Sequence, residues 1–310
     1  MAYRLPILTF ATLVGVTLTS ASGQVNGASG GAGQGGAAPG SASVAGGELV
    51  SQAARRLRDV PLSAKLRFEI NMMGQQLSGG EGSRYSQLGR GSNRLRFELK
   101  LGVGQEQVAS LVQVCNGEHL YVRRALPGQT KVTRVRVDAV LAAIDAARQA
   151  SPESTSLDWL AIGGLPRLLQ VLHSALDFGP PKSGRYGDQK VWIVKGTWKP
   201  EMLAHLLPNQ REDVLAGKPA RLEELAPHVP THVTIAFGAD GQLPLFPHFV
   251  EYRRQTPQGE STPLVTLKFF DVKRRADLTP EDFDYEVTET AEVIDNDEQF
   301  ILGLGLQPVK

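Results

Sequence analysis

The sequence predicts an α+β fold in which a strongly curved antiparallel sheet carries helices on its concave face. Two observations predict it. Segments of alternating apolar and polar residues, separated by Gly-containing turns, occupy both ends of the chain after residue 60, and helical periodicities fall between them. Such alternation is typical of antiparallel strands, and the segregation of strands from helices is typical of the α+β class.

The first predicted strands show the clearest alternation. Residues 64–72 alternate between apolar and polar side chains without interruption, which is the period of a half-buried strand. We expect residues 75–87 to return beside this strand, and residues 93–101 repeat the same alternation. The side chains expected on the buried face are Leu66, Phe68, Ile70, Leu95, Phe97 and Leu99.

A hairpin is predicted at Asn116-Gly117, between strands at residues 108–115 and 119–124. Asn-Gly is the strongest short turn signal in the chain, because both residues accept the backbone angles of a tight hairpin turn. Cys115 ends the first of these strands and is the only cysteine, so it cannot form an internal disulfide. We interpret it as a buried small residue, with a reactive thiol as the alternative.

Three further strands are predicted near the end of the chain, with turns at residues 239–241 and 257–259. The short segment 278–285 follows them and completes an antiparallel meander. Phe237 and Phe269 are expected on its apolar face. The predicted strands are residues 233–237, 247–254 and 265–272.

Helices are predicted at the start and in the middle of this region, with one strand at residues 189–198 between them. The longest helix, residues 157–176, has a wide apolar stripe, and Gly163-Gly164 is expected to break it early. The stripe consists of Leu165, Leu168, Leu169, Leu172 and Leu176. The predicted helices are residues 48–58, 137–149, 157–176 and 200–207.

The N-terminal residues 1–23 are predicted to be a signal peptide. Arg4 precedes an apolar run at residues 5–18, and small residues occupy 21–23, where a signal peptidase requires them. The alternative is an uncleaved anchor, but the run is short for a membrane span. Without a cysteine near this site, bacterial lipidation of the mature terminus is excluded. We therefore expect an exported, periplasmic protein with no stable transmembrane segment after cleavage.

Residues 24–47 are predicted to form a disordered tether. They are almost all Gly, Ala and Ser, and none is charged or aromatic, so they cannot bury enough apolar area to offset the entropy of ordering. Residues 48–290 would then form the folded domain, and residues 291–310 a C-terminal extension. The chain has 33 Lys and Arg against 32 Asp and Glu, and this balance argues against nucleic acid as a partner.

Nothing in the sequence predicts catalysis, a metal site or a cofactor. The six histidines are scattered, and prolines at 227 and 230 prevent His228 and His232 from acting as ligands on one helix turn. No Gly-x-Ser-x-Gly elbow is present. We expect a binding protein and not an enzyme.

The residues that follow the Asn116-Gly117 turn, together with residues 233–285, resemble the corresponding hairpin and closing strands of the LolA/LolB-like periplasmic lipoprotein carrier superfamily. The resemblance covers residues 64–287. It implies an incomplete antiparallel β-barrel with a helical lid packed on its concave face, and an apolar cavity that holds acyl chains.

The resemblance also implies candidate ligand-binding residues. Family members commonly carry an Arg-Pro pair before the third strand, and the arginine reaches into the cavity. This chain has no proline there, and Arg90 is the nearest candidate for that arginine. The alternative is that Arg90 is simply a solvated arginine in a loop. The implied partners are lipid or lipoprotein acyl chains and an envelope protein. The lid candidates are Leu165, Leu168, Leu169 and Leu172, and the cavity walls Leu66, Phe68, Ile70, Leu95, Phe97, Leu99, Phe237 and Phe269.

The alternative function is a structural or sensory interaction module of the same fold. In that case the same apolar residues pack on one another as a filled core, and a protein takes the place of the lipid as partner. A core and a cavity lining have the same sequence pattern, so only unfilled volume separates the two.

Overall fold

A single sheet of fourteen strands organises the described residues. The computed structural model describes residues 45–72, 75–79, 82–103, 106–147, 159–256, 259–287, 292–304 and 306–309. The predicted signal peptide and nearly all of the predicted tether lie outside these residues. The strands are β1 (Leu62–Met72), β2 (Gln75–Gly79), β3 (Arg84–Gln87), β4 (Leu95–Val103), β5 (Glu106–Cys115), β6 (His119–Leu126), β7 (Gln129–Arg136), β8 (Leu176–Phe178), β9 (Lys182–Tyr186), β10 (Gln189–Trp198), β11 (His232–Gly238), β12 (Pro247–Gln255), β13 (Ser261–Arg274) and β14 (Val293–Asp295).

Six helices accompany the sheet within the described residues. Short 3-10 turns occur at Pro208–Gln210, Leu222–Glu224 and Pro280–Phe283. Among these helices, none is both long and apolar enough to cross a membrane. The helices are α1 (Gly46–Arg58), α2 (Val137–Ala147), α3 (Trp159–Ala175), α4 (Pro200–Leu206), α5 (Arg211–Leu215) and α6 (Asp297–Gly303).

The strand order is β14-β7-β6-β5-β4-β2-β1-β13-β12-β11-β10-β8, with β3 between β1 and β4 and β9 beside β10. The first strand of the chain therefore lies in the middle of the sheet, where it joins an N-terminal half to a C-terminal half. All pairings are antiparallel except that of β14, which runs parallel to β7. The predicted α+β class with a large curved antiparallel sheet is confirmed.

The alternation predicted for the early strands is confirmed. Leu66, Phe68 and Ile70 of β1 are at most 3% exposed, whereas the charged residues between them face outwards. α1 and α3 pack on each other and share one core with the apolar side chains of the sheet. This core lies between the two helices and the strands, as expected for helices on a concave face.

The hairpin at Asn116-Gly117 also forms as predicted, between β5 and β6. Gly117 has a φ of 98°, and the Asn116 side-chain oxygen accepts hydrogen bonds from the amides of Glu118 and His119 at 3.1 and 2.8 Å. Cys115 is completely buried, and burial raises the pKa of its thiol to about 11. The thiol is therefore protonated near neutral pH, as expected of a packing residue.

The ends of the domain differ from the prediction. α1 begins at Gly46, inside the predicted tether, because Gly46 packs directly on the backbone of Gly179, where a Cβ atom would not fit. At the C-terminus, residues 291–310 were predicted only as an extension outside the folded domain. Instead β14 pairs with β7, α6 follows, and Ile301 and Leu304 are buried in the main core.

Candidate functional site

The twelve apolar residues predicted to form cavity walls and lid are brought together. All of them belong to one core, and each is at most 3% exposed. Leu165, Leu168, Leu169 and Leu172 of α3 are completely buried against the concave face. In this state of the molecule the lid side chains occupy the space between the walls. Whether these residues bind a ligand remains a prediction.

α3 is two helical segments joined by a kink. Gly164 has φ 64° and ψ −158°, so the predicted break at Gly163-Gly164 is confirmed, and Pro166 begins the second segment. Residues other than glycine rarely adopt such a φ, and a Cβ atom on Gly164 would overlap the hydroxyl of Tyr85. The kink is therefore fixed both by its backbone angles and by the side chain that packs against it.

Tyr85 connects the kink to the sheet. The amide of Leu165 donates a hydrogen bond to the Tyr85 hydroxyl at 3.0 Å, and the hydroxyl donates to Oε1 of Gln87 at 2.6 Å. The Gln87 side-chain amide in turn donates to the carbonyls of Leu57 and Val60, at 2.6 and 2.9 Å. We call this chain of bonds the Tyr85 relay; it ties the end of α1, strand β3 and the kink of α3 together.

The ring of Tyr85 is enclosed by other aromatic side chains of the core. Tyr85 is completely buried, and its ring meets those of Phe97 and Phe269 edge-on, with centroid distances of 6.5 and 6.2 Å. Burial raises the pKa of the Tyr85 hydroxyl, which therefore stays protonated and able to donate. Tyr252 offers a contrast: its hydroxyl is also buried, but no partner for it exists within the described part of the chain.

The sequence did not indicate the Tyr85 relay. Residues 75–87 were predicted only as a strand returning beside β1, and in the structure they contain two strands, β2 and β3. The partners of Tyr85 and Gln87 are mostly main-chain atoms from distant segments. Because every residue has these atoms, such contacts cannot be recognised from residue types in the sequence. The Gly163-Gly164 pair was the one available signal, because a break in an apolar helix leaves amide groups that need partners.

A cavity of about 380 Å³ opens beside the kink. It lies between the end of α1, the segment before β4, helix α2 and the kink of α3. Tyr85 and Gln87 form part of its wall, together with apolar side chains such as Leu95 and Ile162. Its charged lining residues are Arg58, Arg94, Arg167 and Asp145.

Arg90 is exposed and has a φ of 55°, and it is not among the residues lining this cavity. Arg94, four residues later, does line it. The structure thus places a different arginine from the same segment beside α3. The sequence could not separate the two, because both arginines lie among glycine, serine and asparagine in a segment without periodicity.

A second arginine missed from the sequence organises the loop before β11. The guanidinium of Arg254 donates to the carbonyls of Ala226, Leu225 and Val229 at 2.6, 2.7 and 3.1 Å. Its position in the regular alternation of β12 gave no sign of this role, since the acceptors are backbone atoms.

The histidines of this region are structural in character. His232 is buried beside the Thr231 hydroxyl, at 3.1 Å from its Nδ1. Burial, followed by the charges of Lys195 and Arg253, lowers the pKa of His232 to about 4. Across the residues that the structure describes, no group of three or more His, Cys, Asp or Glu side chains could hold a metal ion.

No protein-family model matches the chain. No curated protein matches it either. Among solved structures it is similar to LprF from Mycobacterium bovis (10% identity, 78% of this chain and 97% of that chain, TM-score 0.36). It is also similar to MucB (11% identity, 80% and 65%, TM-score 0.35) and to a putative outer membrane lipoprotein-sorting protein domain from Vibrio parahaemolyticus (10% identity, 76% and 95%, TM-score 0.32).

All three TM-scores are below 0.5. The likenesses therefore carry no inference about ligands, and the fold assignment rests on the strand order and register of the chain itself.

Proposed function

We propose that the protein is an exported, non-catalytic binding protein that holds the acyl chains of a lipid or lipoprotein under helix α3. The observation that carries the proposal is the apolar match between the concave face and a lid helix that is already broken at Gly164. The predicted N-terminal signal peptide and the resemblance to periplasmic carriers support the exported location.

Binding requires α3 to move. Leu168, Leu169 and Leu172 are completely buried against the strands, so a chain can enter only where these side chains leave. Moving an acyl chain from water into an apolar cavity is favourable by about 0.8 kcal/mol of transfer free energy for each CH₂ buried, so about ten methylene groups contribute about 8 kcal/mol. A gain of this size offsets the loss of a few leucine contacts, and the glycine kink supplies the place at which the helix can bend.

The alternative is an interaction module with a filled core and a protein partner. One observation favours it: every predicted wall and lid residue is at most 3% exposed in a single packed core. The two functions differ in what happens when the lid is weakened. A lid that a ligand displaces competes with that ligand, whereas an ordinary core helix does not.

The test is a matched pair of leucine truncations. Leu169→Ala removes lid packing, and Leu278→Ala removes similar packing from the separate small cluster formed with Leu88 and Phe283. Both should destabilise the protein by about 2–5 kcal/mol. If α3 is a lid, Leu169→Ala binds a fluorescent fatty acid at least about tenfold more tightly than the wild type, because the closed state loses stability. Leu278→Ala should bind as the wild type does.

Native mass spectrometry of the purified full chain, followed by organic extraction, identifies any lipid that co-purifies. A stoichiometric lipid supports the carrier function. The carrier function is contradicted if no lipid co-purifies and neither the wild type nor Leu169→Ala binds the fluorescent fatty acid. That outcome favours the filled-core alternative.

A further inference from the structure

The cavity beside the α3 kink has the chemistry of an oxyanion site. Three arginines and one aspartate are its charged lining residues, so its formal charge is positive. Its volume of about 380 Å³ lies in the range of small-molecule sites. The remaining wall combines apolar side chains with the polar side chains of Gln87, Ser92, Asn93 and Gln170, which can also donate hydrogen bonds to an anion.

Two of these arginines are available to a ligand. Arg58 and Arg94 form no ion pair with any other residue in the described ranges. A guanidinium without an ion-pair partner can form charge-assisted hydrogen bonds with an oxyanion. Arg58 reaches the same cavity from the last residue of α1.

The backbone adds to this positive field. The second segment of α3 starts at Pro166 and extends to Ala175, and Pro166 and Arg167 line the cavity. The helix dipole places positive charge at this end. The amide of Leu165 donates to Tyr85 and Pro166 has no N–H, so this end of the helix acts on the cavity chiefly through its dipole.

We propose that this cavity binds an oxyanion of the phosphate or carboxylate type, supplied by the head group of the lipid whose chain lies under α3. This inference rests on the proposed function. The location explains why head group and chain would belong to one ligand. Pro166, Arg167 and Gln170 line the cavity from the same helical segment whose leucines face the core. A head group bound here touches the kink about which the lid bends.

The test compares oleate with oleyl alcohol, which has a chain of the same length without the charge, by displacement of a fluorescent fatty acid from the full chain. We expect oleate to bind about tenfold more tightly, the effect of one charge-assisted hydrogen bond at a partly exposed site. Arg94→Gln and Arg58→Gln should each remove most of this preference and leave alcohol binding unchanged. Arg56→Gln is the matched control, because Arg56 is exposed on α1 and does not line the cavity.

Each outcome decides between the two proposals. Equal binding of oleate and alcohol by the wild type, or a preference that survives both substitutions, overturns the oxyanion site while the lipid-binding function stands. If neither compound binds, the lipid-binding function fails, and titration with inorganic phosphate then tests the site alone. Phosphate binding that Arg94→Gln abolishes supports a site for a free oxyanion, and no phosphate binding overturns it. Far-UV circular dichroism and urea unfolding establish that the variants are folded.

Discussion

The Tyr85 relay leads to a prediction in which a single oxygen atom is removed. Tyr85→Phe keeps the ring and its packing on Phe97 and Phe269, so no cavity forms. It leaves the amide of Leu165 without an acceptor and Oε1 of Gln87 without its donor. Each unsatisfied buried group costs about 1–3 kcal/mol, so the loss of two partners should lower the free energy of unfolding by about 2–6 kcal/mol.

The assay is urea unfolding followed by circular dichroism, with the m value compared to that of the wild type. An unchanged m value shows that only stability has changed. Tyr252→Phe is the matched control: its hydroxyl is buried but has no partner among the described residues. Removing the Tyr252 hydroxyl should lower the free energy of unfolding by less than about 0.5 kcal/mol or raise it, because the folded state no longer buries an unpaired polar group. If the two substitutions have equal effects, the relay does not stabilise the kink.

Three further predictions concern the backbone, the loop before β11 and pH. Gly164→Ala should lower the free energy of unfolding by about 3 kcal/mol or more, because the new Cβ overlaps the Tyr85 hydroxyl. The control is Gly187→Ala, which has a similar φ of 59° but open space around it and should lower stability by only about 1 kcal/mol. Thermal unfolding of both variants compares the two effects. Arg254→Gln should lower stability by about 1–3 kcal/mol and speed proteolysis within residues 221–231; unchanged cleavage would contradict the loop-holding role. Because the pKa of His232 is lowered to about 4 in the folded state, its contribution is complete above the unfolded pKa of about 6.5 and is lost as the pH falls towards 4. His232 should account for about 2 kcal/mol of the stability lost from pH 7 to pH 5, and His232→Asn should remove this part of the pH dependence in urea unfolding.

The strands could be predicted where alternation is a local property. Residues of β1, β4 and β6 follow the apolar and polar period closely, and the predicted strands match the observed ones to within two residues at each end. β7 was missed, because Val132, Thr133 and Val135 are all buried and break the period of two. Burial of consecutive residues is imposed by neighbouring elements, which the local pattern does not contain.

Long-range contacts account for what could not be predicted. β14 pairs with β7 in parallel, and the side chain of Asp295 accepts a hydrogen bond from Arg134, 161 residues away. A three-residue strand has no periodicity to recognise, so only the assembled edge of β7 makes it a strand. Long-range contacts also determine the candidate site. The apolar lid stripe could be predicted from the sequence, but the position of Arg94 in the cavity beside the kink could not.

The central position of β1 has a consequence for how the protein is made. β1 is synthesised long before β13, with which it pairs. The ion pair between Glu69 and Lys268 across this junction joins residues 199 positions apart. Until β13 has been synthesised, one edge of β1 has no partner, and open strand edges promote association between chains. Pairing over such a separation is also slow. The nascent chain, more than the finished protein, is thus the species that needs chaperone protection.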